Sequence, residues 1–242
     1  MIRLRAALFN AAFVTWTLVI GILALPVLAG PRSLNAWFGR FWSGVALWLL
    51  GTIVGLRHEV RGIEHLPPGA AIVALKHQSA WDTLFLPHLL RDPAIVLKEE
   101  LLRIPVFGWY LGRTGVIAID RSSGAAAMRS IISGAQAAAA LGRPIAIFPE
   151  GTRTEVGAKR PYHPGVAALY TKLDLPLVPV ALNSGLFWPR TGYLNEKKPG
   201  CIIVEILPPI PPGLNRRRVV EELQERIETA TGRLVAEAEN VL

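Results

Sequence analysis

Residues 70–90 read AAIVALKHQSAWDTLFLPHLL, and the change of texture inside this stretch decides the fold. Residues 70–75 are apolar at every position, as a strand buried on both faces must be. A short polar step follows, and then residues 82–90 have the length and composition of a helix. The same alternation recurs downstream. Residues 94–97, 115–119, 144–148, 177–182 and 201–207 read as further strands. Residues 125–141, with Ser122 or Ser123 as cap, and 166–172 read as helices. A terminal helix is expected over 216–240, with Val220, Leu223, Ile227, Leu234 and Val235 recurring as one apolar stripe. Short buried strands alternating with helices predict an α/β fold with a largely parallel central sheet flanked by helices.

Upstream the texture is different. Residues 6–30 carry no charge, with Arg3 and Arg5 before them and Arg32 after. A helix of that length reaches across the roughly 30 Å hydrocarbon core of a bilayer, and a signal peptide normally has a shorter apolar region. Gly30-Pro31 breaks it. A second apolar segment, residues 34–56, opens after Ser33 as a candidate N-cap, but it holds Arg40 together with Trp37, Trp42 and Trp48. Charge is costly at bilayer centre and tryptophan prefers headgroup depth, so this segment is expected to lie partly in the interface. The division predicted is a two-helix membrane anchor, residues 1–56, followed by one α/β domain, residues 57–242. Arg3 and Arg5 place the N-terminus, and with it the domain, on the cytoplasmic side of an inner membrane.

Composition agrees. Apolar residues are 51% of the 242-residue chain and the mean hydropathy is +0.37. The net charge of +8 suits anionic lipid or phosphorylated partners. No nucleic-acid-binding motif accompanies it. The single cysteine, Cys201, sits in an apolar run and reads as a buried, inert thiol.

Two segments carry chemistry. The first is His77-Gln78-Ser79-Ala80-Trp81-Asp82, at the exit of the 70–75 strand, where α/β sheets build their sites. Histidine is the natural general base near neutral pH, and a carboxylate on its other ring nitrogen would fix the tautomer. Residues five apart are about 140° around a helix, so the two can meet only if His77 lies in the loop and Asp82 in the first helical turn. The competing reading is a structural histidine with Asp82 as a helix-terminal carboxylate. No histidine or cysteine lies at zinc-ligand spacing. The second segment, Phe148-Pro149-Glu150-Gly151-Thr152-Arg153, also follows a strand. Gly151 permits a tight turn or close approach to a ligand, and the Arg153 fork suits a phosphate. Glu150 cannot bind phosphate and is expected to orient an arginine or a substrate hydroxyl.

Taken together, these segments resemble the glycerophospholipid acyltransferases, in particular the 1-acylglycerol-3-phosphate acyltransferases. His77 and Asp82 match the family's HxxxxD block. Gly115-Val116-Ile117-Ala118-Ile119-Asp120-Arg121 matches a GxxxIDR block, Phe148–Arg153 matches FPEGTR letter for letter, and Val178-Pro179-Val180 matches a fourth, apolar block. The resemblance spans residues 66–185. It implies His77 and Asp82 as the catalytic pair, and Arg121, Glu150, Gly151, Thr152 and Arg153 as binders of a phosphorylated acceptor, with Lys98 matching a family lysine near the same phosphate. Many members carry a lysine before the glycine that follows FPEGTR, and His163 stands near that place here. The implied reaction moves an acyl group from acyl-CoA or acyl carrier protein to the free hydroxyl of lysophosphatidic acid, giving phosphatidic acid, with no cofactor and no metal. A relative acting on lyso-ornithine lipid, glycerol-3-phosphate or another lysophospholipid would carry the same blocks. A non-catalytic, membrane-attached lipid-binding protein is the alternative from another class.

Overall fold

The computed structural model describes residues 2–120, 123–190 and 197–240. Two helices come first, α1 (Ile2–Leu23) and α2 (Arg32–Leu49), joined by a 3-10 turn over Leu25–Ala29. α1, and the helical stretch Arg32–Val54 that α2 opens, are long and apolar enough to cross a membrane by length and composition. α2 is capped by Pro31, two residues before the expected Ser33, and the fixed φ of proline suits a helix entry. A π-helical turn, Leu50–Val54, then ends at Gly55, and the sheet begins.

Seven strands follow: β1 (Leu56–Arg61), β2 (Ile72–Leu75), β3 (Ala94–Lys98), β4 (Ile117–Ile119), β5 (Ile145–Ile147), β6 (Leu177–Leu182) and β7 (Gly200–Ile206). Their order across the sheet is β1-β7-β6-β2-β5-β3-β4. Every pairing is parallel except β6 with β7. The helices between them are α3 (Ala80–Leu89), α4 (Phe107–Arg113), α5 (Ala125–Ala140) and α6 (Gly165–Leu173), and α7 (Arg216–Glu239) closes the chain.

Side chains alternate across a strand, and β2 shows why an all-apolar strand is needed. Ile72 and Ala74 meet the face covered by α5, α6 and α7. Val73 and Leu75 meet the opposite face, where α3 packs together with Phe9 of α1 and with Leu50 and Val54. The two apolar helices therefore roof one side of the sheet. α1 is tied to the domain near its start, where the Phe9 ring meets the edge of Trp188 at 5.7 Å. It is tied again at its far end, where the Tyr110 hydroxyl donates to the Gly21 carbonyl at 3.0 Å. α2 is fixed by Arg32 to Asp92 at 2.5 Å and by Ser43 to the His88 ring at 3.0 Å.

Three local expectations are corrected. α5 is capped by Gly124 without a side-chain bond; Ser123 instead donates to Asp120, and Ser122 lies outside the described residues. Cys201 is exposed, because the start of β7 pairs only with the edge strand β1; burial nonetheless pushes its thiol upward, which keeps it a poor nucleophile. On α7 the apolar stripe also takes in fully buried Val219, which the expected stripe left out, while Val220 packs half-buried against the same core.

Two histidines hold α3 in place, its own His88 bonding it to Ser43 of α2 and His58 of β1 packing on its Phe85. Burial holds His88 below its ordinary value, with Arg40 and His58 adding repulsion, and burial does the same to His58. Their neutral forms are favoured in the fold, so the unfolded chain binds protons more readily and stability is lost as pH falls below about 6.5. The melting temperature is expected to drop between pH 7 and pH 5, with His88→Gln flattening part of that slope. An equally steep slope in the variant would contradict it.

Candidate active site

The site forms where β2, β5, β3 and β4 end side by side. The register aligns them: Ile72 and Ala94 both stand opposite Ile145, and Lys98 opposite Ile119. Counting four residues on from Ile72, Ile145 and Ala94 puts Lys76, Pro149 and Lys98 at one level, and His77 and Glu150 one step beyond. With strands roughly 4.8 Å apart, Lys98 stands about 10 Å along this row from the β2 exit.

α3 explains how His77 and Asp82 meet. Ser79 is the N-cap. Its hydroxyl accepts from Trp81 N at 3.1 Å, while Asp82, at the third helical position, reaches back to accept from Ser79 N at 2.9 Å. This reciprocal box turns the Asp82 carboxylate out of the helix toward the preceding loop. There it also accepts from Gln78 N at 2.8 Å and from His77 Nδ1 at 2.9 Å. Its other oxygen accepts the Ser184 hydroxyl at 2.6 Å. A carboxylate can only accept, so Nδ1 carries the proton and Nε2 presents a lone pair. Asp82 is buried at 2% exposure, whereas the His77 side chain keeps 14%. The imidazole stacks on Phe148 with centroids 4.0 Å apart.

The second motif is built around this histidine. Gly151 adopts φ 66°, a left-handed turn that glycine takes without strain, closed by Gly151 N donating to Phe148 O at 2.9 Å. The turn then grips both backbone groups of His77: the amide donates to Glu150 Oε2 at 2.9 Å, and the carbonyl accepts from Thr154 N at 2.8 Å. Glu150 is buried at 2%, and its other oxygen pairs with Lys76 Nζ at 2.7 Å. Its ionic partner is thus a lysine, where an arginine or substrate hydroxyl was expected. Thr152 and Arg153 are half-buried in the turn, and Arg153 has an interaction of its own. Lys98 is exposed at the end of β3. Arg121 follows β4 but lies outside the described residues. His163 is exposed and docks beside the turn through its amide, which donates to Pro149 O at 2.8 Å. Among the described residues no group of three or more His, Cys, Asp or Glu is placed to hold a metal ion.

Residues 57–183 match the family model described as Acyltransferase. The chain belongs to the acyltransferase family. A 1-acyl-sn-glycerol-3-phosphate acyltransferase of Pseudomonas aeruginosa is 38% identical over 196 residues, 81% of this chain and 76% of that one. The human 1-acyl-sn-glycerol-3-phosphate acyltransferase alpha is 31% identical over 209 residues, 84% of this chain and 72% of the relative. Among solved structures, the 1-acyl-sn-glycerophosphate (LPA) acyltransferase PlsC of Thermotoga maritima superposes with a TM-score of 0.77. That match covers 96% of this chain and 95% of the other at 21% identity, and it shows a shared fold.

Four residues of this acyltransferase's site escaped sequence reasoning: Lys76, Ser184, Tyr162 and Glu228. Lys76 had a local signal, a charge set directly between a doubly buried strand and the HxxxxD block. Ser184 had none, being 102 residues from the aspartate it touches. Its hydroxyl is the donor that holds the outer oxygen of Asp82. Ser184→Ala is expected to lower kcat about tenfold, the scale of one hydrogen bond to a charged group, with KM for both substrates unchanged in steady-state kinetics. A rise in KM alone would place Ser184 in binding instead.

Proposed function

We propose that this acyltransferase moves an acyl group from an acyl thioester, carried by coenzyme A or acyl carrier protein, to the free hydroxyl of 1-acylglycerol-3-phosphate, giving phosphatidic acid. One observation carries the mechanism. His77 has Nδ1 committed to Asp82 while both of its backbone groups are committed to the Glu150–Thr154 turn, so its base face and the phosphate-binding motif are one rigid unit.

His77 Nε2 takes the proton from the acceptor hydroxyl as that oxygen attacks the thioester carbonyl. The imidazolium, braced by Asp82, then returns the proton to the departing thiolate, and ester and thiol are released. The acceptor is itself the nucleophile, so no acyl-enzyme and no cofactor enter. Lys98, Arg121 and Arg153 hold the phosphate, which positions the hydroxyl and supplies the proximity term. Gly151 and Thr152 shape the turn that presents Arg153, and Glu150 acts from beneath by fixing His77.

The substrate is a membrane lipid, and the placement of α1 and α2 suits it. A helix fastened to the domain at both ends cannot cross a bilayer that the domain does not enter. Both helices are therefore read as lying in the membrane surface, with α1 presenting exposed Leu4, Leu8, Val14, Leu18 and Leu23, and α2 presenting Trp37, Phe41 and Trp48. Exposed Ile104 and Trp109 extend the same surface, because α4 packs against α2 through Phe107 on Trp42 and Tyr110 on Phe38 and bonds to α1 through the Tyr110 hydroxyl on the Gly21 carbonyl. The assembly is read as lying on the cytoplasmic face of the inner membrane, whose anionic leaflet attracts Arg3 and Arg5.

The deciding experiment is acyl transfer by the full chain in membranes, with lysophosphatidic acid compared against lyso-ornithine lipid, glycerol-3-phosphate and lysophosphatidylcholine, and with each thioester carrier in turn. Preference for an acceptor lacking a phosphate monoester would overturn the assignment. Arg153→Ala should raise KM for lysophosphatidic acid about tenfold to a hundredfold with kcat little changed, as expected for lost ground-state binding. A lower kcat at unchanged KM would remove Arg153 from phosphate binding.

A further inference from the structure

The long C-terminal helix reaches the site. Glu228 of α7, only 8% exposed in its side chain, accepts from Lys76 Nζ at 2.7 Å. The same ammonium is 2.7 Å from Glu150, whose second oxygen holds the His77 amide at 2.9 Å. Tyr162 donates its hydroxyl to Glu228 Oε1 at 3.0 Å. Burial first, and then the two carboxylates, push that phenol far up, so it stays a donor. The result is an unbroken chain from α7 to the histidine backbone.

Its charge does not cancel. Counted at formal charges, one ammonium between two carboxylates leaves one carboxylate in excess, in a region where Lys76 and the Glu150 side chain are at most 1% exposed. Glu150 alone would neutralise Lys76. A second buried carboxylate brings a desolvation cost that a lone ion pair avoids, and buried ion pairs at best roughly break even against apolar packing. The surplus charge has a use at this place. It is linked through Glu150 Oε2 to the backbone amide of the residue whose ring becomes an imidazolium during proton transfer, in surroundings where charge is poorly screened.

We propose that Glu228 is a positioning residue for acyl transfer. It centres Lys76 so that Glu150 holds the His77 backbone in place, and it supplies the excess negative charge that favours the imidazolium. The inference rests on the reading of His77 as general base. The charged groups grouped around His77 are Asp82 from α3, Glu150 and Arg153 from the turn after β5, Lys76 from its own loop, and Glu228 from α7.

The test is steady-state kinetics of Glu228→Gln in the full chain, with His77→Ala measured in parallel. The amide keeps the shape and an acceptor oxygen but removes the charge. We expect kcat to fall about tenfold to a hundredfold, the scale of a slightly misplaced catalytic group, with KM for lysophosphatidic acid and for the thioester within about twofold. The acid side of the kcat/KM profile should move to lower pH by roughly half a unit to one unit, and Glu228→Asp should restore its position. A lowered melting temperature with unchanged kcat and an unmoved profile would mean a structural role only and would overturn the proposal. If Glu228→Gln does not fold, Tyr162→Phe decides: kcat reduced about threefold or more at constant KM supports the proposal, and unchanged kcat overturns it. An inactive His77→Ala beside a fully active Glu228→Gln would sink this inference alone. An active His77→Ala would sink the general-base reading and this inference with it.

Discussion

Alanine in place of His77 should lower kcat/KM for acyl transfer by about 10² to 10⁴, the range that a positioned general base contributes, while leaving the fold intact. The ring is a terminus of the polar network. It touches Asp82 through one nitrogen and stacks on Phe148, whereas the loop is held by backbone bonds that alanine keeps. Asp82→Asn should cost nearly as much for a different reason. An amide oriented to accept from Gln78, Ser79 and His77 still loses the charge that stabilises an imidazolium. One oriented the other way donates to Nδ1 and turns the proton-accepting nitrogen away from substrate. The check is initial-rate kinetics on membranes with circular dichroism of each variant. Full activity in His77→Ala would remove the proposed chemistry altogether.

The largest stability effect is expected at the neighbouring lysine. Lys76→Met leaves Glu150 and Glu228 facing each other in the interior with their shared cation gone. Removing one partner from a buried ionic cluster typically costs about 3–5 kcal/mol. At roughly 2–4 °C per kcal/mol for a chain of this size, the melting temperature should fall by about 6–20 °C. A thermal melt of Lys76→Met beside the parent chain at neutral pH tests this. Unchanged melting at neutral pH would show that the cluster is not a stabilising element.

What could be read from the sequence depended on how local each signal was. The four inner parallel strands announce themselves because burial on both faces forces apolar residues at consecutive positions. β1 did not, because an edge strand reading Leu-Arg-His-Glu-Val-Arg lacks that run and is blunted by charge, as edges commonly are. α4 was missed for another reason: seven residues with Gly108 and Gly112 among them are too short for helical periodicity to show. At the site, the loop position of His77 and the first-turn position of Asp82 followed from helical geometry alone, since five residues cannot bring two side chains together on one helix. The roles of Ser184 and Glu228 did not follow. They depend on β6 lying beside β2 and on α7 folding back across the sheet, and no spacing in the chain encodes either.

The apolar roof has a practical corollary. Phe9, Leu50 and Val54 belong to the same interior as Val73 and Leu75 of the strand that delivers His77, so the first fifty residues are a lid on the hearth and not a detachable tether. A shortened chain beginning near β1 would open that interior to water directly behind His77. Recovery of active protein should therefore depend on detergents or lipid discs that clothe the outer side of the lid, and shortening to gain solubility should cost the enzyme its integrity along with its address.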